Sequence, residues 1–163
     1  MFGEDVLALD AATPAGASLI GVDLGTRTIG LAVSDARRCI ASPLLTLARG
    51  KFTADVARMA EIAQARGAAG YVVGLPRNMD GSEGPRAQAS RAFARRLAQV
   101  LDVPVALWDE RLSTCAVERT LIAADASRKR RAELVDKMAA AYILQGALDR
   151  IGWAARAKDD ERG

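Results

Sequence analysis

The chain of 163 residues contains no histidine. This absence excludes Ser-His and Cys-His nucleophile pairs, histidine-ligated zinc sites and an imidazole general base. Carboxylates, hydroxyls, thiols and basic side chains remain for chemistry, and carboxylate oxygens are ligands that suit Mg²⁺ or Mn²⁺. A catalytic site in this chain would therefore depend on acidic residues.

Aromatic residues are also scarce, at 4% of the sequence, whereas 50% of the residues are hydrophobic. This balance predicts an aliphatic, closely packed core in one domain. The two cysteines, Cys39 and Cys115, lack metal-ligand spacing, and we interpret them as reduced, buried thiols. The sequence has no apolar stretch of membrane-spanning length and no basic start typical of a signal peptide. These features predict a cytoplasmic protein with no membrane partner.

The basic residues are clustered, although the formal net charge is only +3. The segment Pro85–Arg96 carries four arginines and no acid, and Ser127–Lys137 carries five basic residues against two acidic ones. Such clusters are typical of proteins that bind a phosphate backbone. Solvated helix faces also collect arginines, so the charge pattern alone leaves both interpretations open.

Asp23 interrupts an otherwise apolar predicted strand, Leu19–Leu24. A charge in such a strand is costly unless a metal or a cationic partner compensates it. Glycines at 21, 25 and 30 leave room for a bulky polyanion to approach. The alternative is an aspartate that caps the following turn through its own backbone.

Two further acidic residues, Glu110 and Asp136, are candidates for a functional site. Glu110 follows Asp109 at the carboxyl end of a predicted strand, the edge where open α/β sheets bind ligands. Asp109 or Ser113 would alternatively cap the next helix. Asp136 shares a helical stripe with Ala140, Ile143 and Ala147, which suggests a third metal ligand; the alternative is a salt bridge to Lys129 or Lys137.

Two segments have features that favour anions. The loop Gly74–Gly84 leaves a strand and opens a helix, so free backbone N–H groups face an incoming ligand, although glycine-rich connectors are common. The basic run Arg128, Lys129, Arg130 and Arg131 precedes a helix, where cations oppose the helix dipole. A phosphate ligand would explain that unfavourable placement.

The chain alternates between predicted strands and helices after an initial β-hairpin. This order predicts an α/β fold with a mixed sheet and helices on both faces. We expect a flexible leader at 1–18, one domain at 19–152 and a charged tail at 153–163. The predicted elements after the hairpin are strands at 43–47, 70–75 and 103–108, and helices at 53–66, 83–101, 113–123 and 132–151.

Four segments in order resemble the YqgF/RuvX family of Holliday-junction resolvases and pre-ribosomal-RNA nucleases. They are Val22–Asp35, Gly74–Gly84, Asp109–Thr114 and Val135–Ala140. The resemblance implies an RNase H-like fold with a five-stranded mixed sheet. It also implies a catalytic, metal-binding triad and a set of nucleic-acid contacts. The triad is Asp23, Glu110 and Asp136; the contacts are Arg27, Arg77, Asn78, Arg111, Arg128, Lys129, Arg130 and Arg131.

The function implied by this resemblance is Mg²⁺- or Mn²⁺-dependent hydrolysis of phosphodiester bonds in precursor ribosomal RNA or branched DNA. Resolution of a four-way junction needs two active sites and hence a homodimer, whereas RNA trimming needs only a monomer. A nucleic-acid-binding ribosome-assembly factor with weak or vestigial catalysis is the main alternative. The motif at Asp23 also resembles that of actin-like ATPases and sugar kinases, but those enclose a nucleotide between two such domains.

Overall fold

The computed structural model describes residues 1–112 and 128–163, and the side chains of residues 1–112 and 137–163. A 3₁₀ turn, Glu110–Leu112, follows the last strand. The strands of the described chain are β1 (Phe2–Gly3), β2 (Ser18–Leu24), β3 (Thr28–Ser34), β4 (Ala41–Ala48), β5 (Ala68–Leu75) and β6 (Val105–Asp109). The helices are α1 (Val6–Ala12), α2 (Phe52–Ala65), α3 (Pro85–Leu101) and α4 (Arg128–Arg162).

Within the described residues, six strands form one mixed sheet in the order β1-β6-β5-β2-β3-β4. Strands β2, β5, β6 and β1 run parallel; β3 pairs antiparallel with β2, and β4 pairs antiparallel with β3. The prediction of a mixed sheet is confirmed, but the expected number of five strands is wrong. The extra strand is β1, which adds to the free edge of β6.

The sheet separates two hydrophobic cores. On one face, α2 and α3 cover Ile20, Val22 and Leu24 of β2. On the other face, α4 and α1 cover Leu19 of β2 and Val72 of β5. Side chains alternate between the two faces along each strand, so Asp23 points towards the face that α4 covers.

Helix α4 packs unusually close to the centre of the sheet. A methyl group on Gly21 would lie only 2.7 Å from the carbonyl oxygen of Ala140 and 2.7 Å from the Cβ of Leu144. Small residues on both surfaces therefore allow the helix backbone to approach the strand. The face of α4 towards the sheet is fully buried at Ala140, Ile143 and Ala147, in agreement with the stripe predicted from the sequence.

Residues 1–18 are packed against the domain, which differs from the expected flexible leader. Helix α1 begins after Asp5, whose side chain accepts a hydrogen bond from the backbone N–H of Leu7. Leu9 is fully buried in the core beneath α4. The guanidinium of Arg38 binds the Asp10 carboxylate at 2.6 Å and the Pro14 carbonyl at 2.7 Å.

Other differences from the sequence predictions are local. The C-terminal segment expected to be a charged tail continues α4 to Arg162. Cys39 is exposed rather than buried, because it lies in the turn between β3 and β4. The expected helix at 113–123 and Cys115 lie outside the described residues. None of the helices in the described part of the chain is long and apolar enough to cross a lipid bilayer.

Candidate active site

Asp23 lies near the end of β2, on the sheet face that α4 covers. It is partly exposed, whereas Val22 and Leu24 on either side are buried. Its direct partner on β3 is Gly30. On the other side, β2 and β5 pair at Val22 and Val73, so Gly74 is the next residue alongside Asp23. The carboxylate thus has a glycine beside it on each neighbouring strand.

The space above Gly74 is occupied by Glu110. A methyl group on Gly74 would lie 2.5 Å from Oε1 of Glu110 and 2.5 Å from Cδ1 of Ile143 on α4. The 3₁₀ turn after β6 therefore folds the Glu110 side chain back over β5. Since neighbouring strands are about 4.8 Å apart, Asp23 and Glu110 belong to one carboxylate cluster on the same sheet face.

The backbone of Asp136 lies in α4, one helical turn before Ala140. The carbonyl of Ala140 in turn lies over Gly21 of β2. The side chain of Asp136 is outside the described residues, as are those of Arg128, Lys129, Arg130 and Arg131. The structure therefore brings together two members of the predicted triad, and the place of the third carboxylate stays a prediction.

Two of the predicted nucleic-acid contacts, Arg77 and Arg111, bind the same carboxylate. Nη2 of Arg111 lies 2.7 Å from Oδ2 of Asp109, and Nη1 of Arg77 lies 3.4 Å from it. Hydrogen bonds from the Arg111 side chain hold the pKa of Asp109 below its usual range. The second nitrogen of Arg77, Nη2, forms an ion pair with Glu4 of the N-terminal segment.

The loop between β5 and α3 is closed by its own hydrogen bonds. The backbone N–H of Asn78 donates to the Ser82 carbonyl, and the Asn78 side-chain amide donates to the Ser82 hydroxyl. Hydrogen bonds from Ser82 lower the pKa of Asp80. Asn78, predicted as a nucleic-acid contact, thus shapes the loop, while α3 begins after Gly84 without a side-chain cap.

The remaining basic residues divide between the two faces of the sheet. Arg27 is exposed in the turn after Asp23, at the same sheet edge as the carboxylates. The arginines of α3 lie on the opposite face, where Arg96 stacks over Phe52 at 3.8 Å and Arg91 binds Glu83 at 2.9 Å. Of the four arginines in this cluster, Arg91, Arg95 and Arg96 thus have partners within the protein.

The donor set at this end of the strands fits Mg²⁺ or Mn²⁺, because the side chains of Asp23 and Glu110 offer only carboxylate oxygens, the ligands that these ions prefer. Across the side chains of residues 1–112 and 137–163, no group of three or more acidic or cysteine side chains is arranged to hold a metal. That range leaves out the Asp136 carboxylate. A complete site would thus require this third ligand or oxygens from a substrate.

The comparison with known families agrees with this geometry. A family described as RuvX, Holliday junction resolvase, matches residues 17–150. The chain belongs to this family. Its RuvX relatives include a Cereibacter sphaeroides protein that is 60% identical, with 98% of this chain and 99% of that protein covered. A Roseobacter denitrificans protein is 58% identical, with 99% of both chains covered. Both relatives carry the provisional name pre-16S rRNA nuclease.

A solved structure similar to this RuvX chain is that of Thermus thermophilus RuvC, with a TM-score of 0.53. The match covers 83% of this chain and 96% of that chain at 16% sequence identity, so it bears on the fold alone. The RNase H-like fold and the family expected from the sequence are confirmed. The family description and the names of the relatives both denote nucleases, which confirms the expected enzyme class.

Sequence reasoning missed two residues at this site. Asp109 was considered only as a helix cap; it does accept the backbone N–H of Arg111 at 3.0 Å, but it also binds two arginine side chains. Its position directly before Glu110 and two residues before Arg111 was the available signal. Glu4 gave no signal, because its contact with Arg77 joins residues 73 positions apart.

Proposed function

We propose that this RuvX protein is a divalent-metal-dependent nuclease that hydrolyses phosphodiester bonds in precursor ribosomal RNA. The observation that supports this most is the pair of carboxylates, Asp23 and Glu110, on one sheet face with Gly74 between their backbones. The relatives named as nucleases of pre-16S rRNA match nearly the full length of the chain. This makes precursor RNA the substrate that we favour.

Asp23, Glu110 and Asp136 would hold Mg²⁺ or Mn²⁺. When bound, such an ion would supply an activated water and stabilise the leaving oxygen. The chain's own residues orient the reaction: the missing side chain of Gly74 leaves the space that Glu110 occupies, and Ile143 borders the same space. Arg27 and the basic run at 128–131 would hold the phosphate backbone without reading bases.

Resolution of branched DNA is the second candidate function, because the matching family is described as a Holliday junction resolvase. That reaction would require a homodimer, whereas RNA maturation would require only a monomer. A binding factor for ribosome assembly, with weak catalysis, is the remaining alternative. Nuclease assays on both substrates separate these three functions.

The decisive experiment compares wild-type protein with Asp23→Asn on a precursor 16S rRNA fragment and on four-way-junction DNA. Asp23→Asn removes a metal ligand at nearly constant volume, so we expect turnover to be lost while the fold is retained. Asp102→Asn is the matched control, because Asp102 is an exposed residue in a left-handed conformation that asparagine tolerates. We expect that control to cleave like wild type.

The same assay is run with Mg²⁺, Mn²⁺, Ca²⁺ and excess chelator. We expect cleavage with the first two ions, little or none with Ca²⁺, which takes more ligands at longer distances, and none with chelator. Equal cleavage by Asp23→Asn, or cleavage in chelator, would contradict the proposed site. Absence of cleavage on both substrates would favour the binding-factor function.

A further inference from the structure

Asp109 forms the most extensive polar contacts at the site edge. It is the last residue of β6, and its side chain is 12% exposed. Oδ1 accepts hydrogen bonds from the backbone N–H of Arg111 at 3.0 Å and from Nε of Arg111 at 3.1 Å. Oδ2 accepts from Nη2 of Arg111 at 2.7 Å and from Nη1 of Arg77 at 3.4 Å. The two oxygens thus accept hydrogen bonds from two arginine side chains and from one backbone N–H group.

The backbone contact fixes the turn that carries Glu110. Because Oδ1 binds the N–H of Arg111, it ties β6 to the 3₁₀ turn Glu110–Leu112. Glu110 lies between these two anchor points and extends over Gly74. A change in the turn would therefore move the carboxylate that we propose as a metal ligand.

The side-chain contacts fix the two arginines relative to each other. The planar fork of Arg111 meets both oxygens of Asp109, a geometry that lysine cannot reproduce. Nη1 of Arg111 also lies 3.4 Å from the carbonyl of Met79 in the β5–α3 loop. Arg77 is held from its other side by Glu4. Asp109 therefore links the loop, the turn and the N-terminal segment.

We infer that Asp109 is a positioning residue, which sets the Glu110 carboxylate and orients Arg77 and Arg111 towards the substrate backbone. This inference rests on the proposed nuclease function for its catalytic consequence. Asp109 itself lies between two guanidinium groups and is not assigned a contact with the scissile phosphate. Its effect on the reaction passes through Arg111 and the turn.

The test is a double-mutant cycle of Asp109→Asn and Arg111→Gln, with Asp102→Asn as the control for loss of one negative charge. Asparagine keeps an oxygen for the backbone N–H of Arg111 but cannot form an ion pair with either guanidinium group. We expect kcat on the precursor RNA fragment to fall about 100-fold while KM rises only about threefold, because misplacement affects the transition state more than binding. When Asp109→Asn is added to Arg111→Gln, kcat should fall little further.

Affinity for the RNA fragment is measured on the same four proteins in chelator, so that cleavage is not required. Asp109→Asn should change Kd by about threefold or more in the wild-type background and by less than about 1.5-fold in the Arg111→Gln background. If Asp109→Asn and Arg111→Gln each changed kcat and Kd by the same factor whether or not the other substitution was present, the inference would be overturned. So would an Asp109→Asn protein that behaves like Asp102→Asn.

Two further outcomes remain decisive. If Asp109→Asn fails to fold, Arg111→Lys is tested in its place. Lysine keeps the positive charge but cannot bind both carboxylate oxygens in parallel. A kcat equal to that of wild type in Arg111→Lys would then overturn the inference. If wild type cleaves neither substrate, the proposed nuclease function fails. The Kd cycle still decides whether Asp109 acts through Arg111.

Discussion

The Oε1 atom of Glu110 lies over the Cα of Gly74, where a methyl group would approach it to 2.5 Å. Gly74 is the residue of β5 beside Asp23, so its missing side chain provides the space that Glu110 occupies on the sheet face of Asp23. A glycine in the middle of a buried strand weakens packing in general. Here that cost is offset by the room it leaves for Glu110.

Gly74→Ala is therefore expected to displace Glu110 and to lower kcat about 100-fold, the effect of a misplacement of about 1 Å. Because the added methyl also meets Ile143, we expect a loss of about 1–3 kcal/mol in unfolding free energy. Kinetic assays and urea unfolding measure the two effects. Gly3→Ala is the matched control, since nothing lies within 4 Å of its added methyl. Full activity in a folded Gly74→Ala protein would contradict the proposed role of Glu110.

Arg38→Gln is expected to detach the N-terminal segment from the domain. The Arg38 side chain is only 7% exposed and serves Asp10 and the carbonyls of Pro14 and Ala17. Its loss would remove several hydrogen bonds that join the segment to the domain, at a cost of about 3 kcal/mol in unfolding free energy. The neighbouring Arg37 is exposed, so Arg37→Gln should change stability by less than about 0.5 kcal/mol. Hydrogen exchange of α1 checks the location of the effect; unchanged protection in Arg38→Gln would contradict it.

Much of the fold could be predicted from the sequence because apolar runs are bounded by glycine and proline. Strand β5 was expected at 70–75 and is Ala68–Leu75, and α2 was expected at 53–66 and is Phe52–Ala65. Strand β1 could not be predicted, because two residues show no periodicity. Val100 is apolar but exposed, because the buried stripe of α3 follows Phe93 and Leu97.

The candidate site was predictable in its residues but not in its contacts. Asp23 and Glu110 stood out as acids in apolar or strand-end surroundings, and the structure places both on the same sheet face. Arg77 and Arg111 were expected as nucleic-acid contacts because of the family resemblance alone. Their ion pairs with Asp109 and Glu4 depend on how strands and the N-terminal segment come together, which no local pattern reports.

Because the pKa of Tyr71 is raised in the folded protein, we expect a loss of stability at alkaline pH. Burial raises the pKa of Tyr71 to about 12 from its ordinary value of 10.0. The unfolded chain therefore releases this proton first, and between pH 10 and pH 12 the folded state loses about 1.4 kcal/mol of stability per pH unit from this group. In Tyr71→Phe the fall over that range should be shallower, although stability near pH 8 drops slightly because the hydrogen bond to Met59 is absent. Urea unfolding at several pH values measures both slopes; equal slopes would show that Tyr71 does not contribute.

The basic run Arg128–Arg131 is expected to contact the phosphate backbone rather than bases. Replacing all four residues with glutamine should weaken binding to unrelated RNA sequences by a similar factor. The slope of log Kd against log salt should become shallower by about one for each phosphate that the protein no longer neutralises. The measurement is Kd for two unrelated RNAs at several salt concentrations, with Asp23→Asn as the background so that no substrate is cleaved.

The matched control for this run removes the same number of charges elsewhere. Arg37, Arg58, Arg66 and Arg156 are all exposed. Arg37 and Arg66 lie at the opposite end of the strands from Asp23, because β3 ends and β5 begins there. Replacing these four with glutamine lowers the net charge equally, so a general electrostatic effect would appear in both proteins. If both quadruple variants lose affinity and salt slope to the same extent, net charge rather than the run at the start of α4 governs binding. A change confined to the 128–131 variant would place the phosphate backbone at the N-terminal end of α4, the helix that also carries Asp136.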